Sequence, residues 1–153
     1  MNLQEINNLI PIASQWVEVQ EEFIVSNGVQ LTEKQMQIAS KIGIKNIDKI
    51  RLLKVESIPE PGDSILNELS KAIGFISFNT IGITYRYGIY IRQDYWDNES
   101  LIIHELVHTL QYERLDGIAN FLNQYIKECV YYGYNNSPLE KEAVEISKSF
   151  SEV

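Results

Sequence analysis

The chain has two histidines, and both stand in LIIHELVHTLQYERLDG, as His104 and His108 with Glu105 between them. Residues four apart on a helix lie nearly over one another, so the two imidazoles share one face and can ligate a single Zn²⁺. Glu105 sits about 100° further round. From there its carboxylate reaches a water on the metal rather than the metal itself. Zinc lowers that water's pKa toward about 7, and the glutamate accepts its proton to make a nucleophile. This is the mechanics of H-E-x-x-H. The competing reading is an ordinary amphipathic helix that carries two imidazoles. Leu101, Ile102, Ile103, Leu106, Val107 and Leu110 make the segment apolar over most of its circumference, so the helix is expected to be buried. Buried imidazoles need polar partners, and a metal supplies one.

A catalytic zinc has three protein ligands and a water. An H-E-x-x-H-x-x-G-x-x-H extension fails, because Gln111 and Arg114 occupy its last two positions. Glu113 lies about 140° off the direction of His108 and points away. Asp116 falls near the helix end. Cys129 sits within a helical stretch, where a small buried hydrophobe is the commoner role. The last segment, NSPLEKEAVEISKSF, has Leu139, Ala143, Ile146 and Phe150 as its apolar stripe. Glu140 and Glu142 flank that stripe, and Glu145 should face water. Glu140 also completes an S-x-x-E capping box with Ser137, a purely structural use of the same side chain. Glu140 and Glu142 are thus both open as the third ligand.

These residues need elements to hold them. IASQWVEVQEEFIV, 12 to 25, has Ile12, Trp16 and Phe23 near helical spacing, with Pro11 at the entry. Thr32 and Gln35 form a capping box for a second helix that Gly43 ends. KIRLLKVES, 49 to 57, reads as a strand, and SILNELSKAI as a short helix closed by Gly74. The stretch 75 to 94 is rich in β-branched and aromatic residues and is broken by Gly82 and Gly88, which points to strands or a hairpin. Asn98 is the expected N-cap of the HELVH helix, and Gly117 its stop. A further helix covers IANFLNQYIKECVYY, and Pro138 begins the last one.

The chain of 153 residues fits one domain, 1–153, long enough for a core without staples. A single cysteine forms no internal disulfide. A net charge of −8 and a pI near 4.8 repel a phosphate backbone, so no nucleic-acid partner is expected. Neither a signal peptide nor a membrane-spanning run is read, so no membrane partner is expected either. The expected location is cytoplasmic, with export by a non-classical secretion system left open. Oligomeric state is not legible.

LIIHELVHTLQYERLDG followed by PLEKEA resembles the gluzincin-type zinc metallopeptidases, and is most similar to a compact bacterial zincin-like domain family of unknown function. That family carries HELxHxxQ, matched from His104 to Gln111, and a downstream E-x-x-A or E-x-E-A, matched at Glu140-Lys-Glu-Ala143. The resemblance covers residues 48 to 150; the first 45 residues match nothing in it. It implies an α+β zincin-like fold: a small antiparallel or mixed sheet, the HExxH helix and C-terminal helices, with 45–150 as catalytic core and 1–45 as an N-terminal helical region. It implies one Zn²⁺ per chain on His104, His108 and Glu140, with Glu142 in reserve, and Glu105 as general base. An aspartate is common four residues after the ligand glutamate, as a partner for a ligating histidine; here Val144 stands there. Residues 83 to 92 would be an edge strand that takes up extended peptide. Tyr112, Tyr132 and Tyr134 are candidates to stabilise an oxyanion. The expected function is peptide-bond hydrolysis of a peptide or protein substrate. The alternative is a non-catalytic zincin-like structural or interaction domain whose metal is structural or vestigial.

Overall fold

The structure is a computed structural model that describes residues 2–72 and 80–151. Its helices are α1 (Leu3–Asn27), α2 (Glu33–Ile42), α3 (Ser64–Ala72), α4 (Glu99–Arg114), α5 (Ile118–Tyr132) and α6 (Pro138–Ser151). Its strands are β1 (Arg51–Val55), β2 (Gly82–Tyr85) and β3 (Gly88–Arg92). The class is α+β, as expected, with a small mixed sheet.

Sheet order is β1-β3-β2, with β1 parallel and β2 antiparallel to β3. The alternation of side chains gives the sheet two apolar faces. Leu52, Ile89 and Ile91 meet Ile102 and Leu106 of α4 and Ala39 of α2. On the other face Ile83, Tyr85 and Tyr90 meet Val17 and Ile24 of α1, in a cluster that extends to Phe121, Leu122 and Ile126 of α5. The α4 helix is therefore enclosed between the sheet and α6, which explains its lack of a polar face.

Gly88 permits the close approach of α1. A Cβ there would lie 2.9 Å from Cβ of Ile24 and 3.2 Å from Cα of Glu21. The β2–β3 turn, Arg86-Tyr87, has φ +58° at Arg86, a position that favours glycine. Glu21 of α1 holds that turn. It accepts two bonds of 2.7 Å from the Arg86 guanidinium and one of 3.0 Å from the Tyr87 N–H.

Several expected boundaries move. The first helix starts at Leu3, capped by Asn2, and runs through Pro11. The buried stripe is Ile6, Leu9, Ala13, Val17 and Ile24, whereas Ile12 and Phe23 are exposed. Burial of that longer stripe outweighs the bond lost at proline. The strand expected over 49 to 57 shortens to Arg51–Val55, and Ile47–Lys49 forms a 3₁₀ turn. The α4 helix ends at Arg114, and Asp116 with φ +65° turns the chain before Gly117. The expected strand 83 to 92 divides into β2 and β3, and β3 is central. Of these two strands β2 is the one at the sheet's edge. Gly74 and residues 75 to 79 lie outside the described residues. The Thr32–Gln35 box, the left-handed Gly43, the Asn98 cap and Pro138 at the start of α6 stand where expected.

Candidate metal centre

The apolar residues of α4 lock its orientation, and the two histidines emerge toward α6. Ser137 Oγ accepts the Glu140 N–H at 3.2 Å, which gives half of the capping box. The Glu140 carboxylate does not complete it. Instead Oε1 lies 3.1 Å from His104 Nε2, and Oε2 lies 3.0 Å from His108 Nε2. One donor atom from each of the three residues falls within 4.8 Å of the others. The set is two imidazole nitrogens and one carboxylate oxygen, which fits the His₂Glu pattern of a catalytic zinc with an open position. His108 and Glu140 are buried and His104 is half-buried.

A ring of partners supports the group. Tyr125 on α5 donates its hydroxyl to Glu140 Oε2 at 2.6 Å. His108 Nδ1 lies 2.7 Å from Gln111 Oε1. The Gln111 amide donates at 2.9 Å to the Leu139 carbonyl and at 2.8 Å to Glu142 Oε1. Glu142 also takes both arms of the Arg114 guanidinium, at 2.8 and 2.9 Å. That contact decides between the two glutamates: Glu140 joins the histidines, and Glu142 is committed to Gln111 and Arg114. Cys129 is buried outside the group, and burial followed by the Glu140 charge pushes its thiol up to about 12.

Electrostatics bind the three together. Burial works against a charge on His108, but the Glu140 carboxylate outweighs it and raises the ring from the ordinary 6.5 to about 9. Burial works against charge on Glu140 too. His108, then the hydrogen bonds from His104, His108 and Tyr125, reverse this and hold it well below the usual carboxylate range. Burial and the charge of Glu140 push the Tyr125 phenol well above its ordinary value.

Glu105 is buried beside the group, and its Oε1 accepts the Thr84 hydroxyl at 2.8 Å. Its other oxygen faces Gly82, where a Cβ would stand 3.4 Å away. A cleft of about 510 Å³ opens here, lined by Gly82, Leu101, His104, Glu105, Tyr134 and Val144 among others. Of the three candidate tyrosines, Tyr134 lines this cleft. Tyr112 is buried, stacks on Phe121 and donates to the Thr84 carbonyl, so it is a packing residue. Tyr132 is exposed and lines neither the cleft nor the small cavity beneath it. The larger cavity, about 700 Å³, contains none of the three donors; its Glu113 is taken by the backbone of Lys45 and Asn46 and by Tyr87.

Sequence reasoning missed Thr84, Tyr125 and the contacts of Gln111. Gln111 carries a legible signal, since it stands one turn after His108 on a buried helix. Nothing in the sequence ties Thr84 or Tyr125 to the group. No protein-family model, curated protein or solved structure matches the chain.

Proposed function

We propose that this chain is a zinc-dependent peptidase of zincin-like fold, with His104, His108 and Glu140 as ligands and Glu105 as general base. The observation that carries the proposal is the convergence of three donors from two helices, with a glutamate in the adjoining cleft. Bound zinc would activate water and polarise a substrate carbonyl. Glu105 then takes the proton of the attacking water on its oxygen beside Gly82 and passes it to the leaving amine nitrogen. Thr84 fixes the other oxygen and so the carboxylate's direction. Tyr134, across the cleft, supplies a hydroxyl toward the carbonyl oxygen.

The first test is elemental analysis of tag-free protein after incubation with zinc, next to His104→Ala. The expected result is one zinc per chain, lost in the variant. Cleavage of a peptide library by wild type and Glu105→Gln follows; the variant should retain zinc and lose cleavage. Zinc retained by both with no cleavage by wild type replaces the peptidase with a metal-stabilised interaction domain. No zinc in wild type ends both readings.

A further inference from the structure

Ile12, Trp16 and Phe23 stand at helical spacing, and the fold leaves them off the buried stripe of α1. With Val19 they form a line at intervals of four, three and four residues, the repeat of a helix–helix seam. Ile12, Val19 and Phe23 are 43%, 56% and 53% exposed, and Trp16 is half-buried. Exposed apolar residues scattered singly are ordinary, but these are neighbours on one flank of a single helix. The line runs for about 16 Å, the length of one short helical segment of a partner.

Charge selects the kind of partner. Residues 1–33 contain five glutamates and no lysine or arginine. Glu21 is taken by Arg86 at the β2–β3 turn, the only ion pair of α1 among the described residues. Glu18 and Glu22 are exposed and stand beside the apolar line, Glu22 one turn after Val19. Such a flank is repelled by an anionic lipid surface. It is repelled by a second copy of α1 too, which would set glutamate against glutamate with no cation on either helix. We propose that this flank of α1 docks a basic amphipathic helix of a partner protein. The partner's apolar side chains cover Ile12, Val19 and Phe23 beside Trp16, and its lysines or arginines face Glu18 and Glu22. The surface contains none of the three metal donors and stands independently of the zinc reading above.

The probe is a synthetic amphipathic helix of leucine and lysine, with a leucine–glutamate peptide of the same pattern beside it. Trp16 reports contact in the full chain carrying Trp96→Phe, which removes the other tryptophan. The lysine peptide should shift Trp16 emission to the blue and bind more weakly as salt rises; the glutamate peptide should do neither. Val19→Ser and Phe23→Ser, both at exposed positions, should each weaken the lysine peptide by about tenfold or more. Glu22→Lys should weaken it as well. Glu145→Lys makes the same charge change at an exposed site on α6 and should leave the affinity near wild type. This charge pair decides the matter if a serine variant does not fold. Because the whole chain is acidic, lysine-peptide affinity that survives the serine variants, or that falls equally in Glu22→Lys and Glu145→Lys, is bulk attraction and overturns the proposal. Absence of binding overturns it too. A wild-type dimer in sedimentation that Phe23→Ser converts to monomer assigns the flank to a second copy and overturns it as well.

Discussion

At the scale of the residue, Glu140 shows how one side chain is claimed by competing roles. Its local sequence offers a helix cap, and its tertiary surroundings offer two imidazoles and a phenol. The backbone N–H keeps the cap with Ser137, and the carboxylate goes to the histidines and Tyr125. A buried carboxylate with these partners is held charged. Removal of one donor leaves part of it unsatisfied, so Tyr125→Phe should cost about 1.5–3 kcal/mol in urea unfolding of the metal-free protein. The pH dependence has a definite sign. His108 has a folded pKa above its ordinary 6.5, so its contribution is full below about 6.5 and lost as pH rises through about 9. Glu140 has a depressed pKa, so its contribution is present above its ordinary 4.5 and lost as pH falls toward the folded value. The metal-free protein should therefore lose stability between pH 6.5 and 9, while zinc affinity rises over the same interval because the ligands must lose their protons. Equilibrium unfolding at a series of pH values, with and without zinc, checks both slopes.

At the scale of the element, the site depends on how closely helices approach. Ala143 is fully buried where α6 crosses α4, one turn after Glu140. Gly88 does the same for α1 on the other face of the sheet. Gly88→Ala places a Cβ against Cβ of Ile24 and the α1 backbone, neither of which is a flexible tip. It should destabilise by about 1–3 kcal/mol, read as a lower urea midpoint at unchanged m-value. The shift would also disturb the grip of Glu21 on Arg86 and Tyr87. Caps and stops were legible at this scale: Thr32 with Gln35, Gly43, Asn98 and Pro138 act through neighbours within four residues. Pro11 was misread because a local rule places proline at a helix start, whereas the burial of Ile6 and Leu9 that carries α1 through it is a long-range effect.

At the scale of the whole molecule, the three donors come from α4 and α6, and α5 between them in the chain contributes Tyr125. An ion held by all three joins the two helices in the folded state and has no equivalent set in the unfolded chain. At free zinc a thousand times its dissociation constant, binding adds about 4 kcal/mol. For a chain of this length that is a rise of roughly 8–16 °C in Tm. Thermal unfolding with zinc and with excess chelator measures it, and His108→Ala should remove the difference.

The sequence by itself determined the pair of imidazoles on one helical face, the glutamate beside them, the burial of that helix and the α+β class. These follow from periodicity and from chemistry within a few residues. Periodicity narrowed the third donor to Glu140 or Glu142, because both flank the same stripe of α6, and only the resemblance preferred Glu140. Tertiary structure separates them physically, through the crossing of α6 on α4, which gives Glu140 to the histidines and Glu142 to Gln111 and Arg114. It also decided that β3 is central and β2 at an edge, and it brought Thr84 and Tyr125 to the group. Such choices depend on the register and crossing of segments far apart in the chain, and no local pattern encodes them.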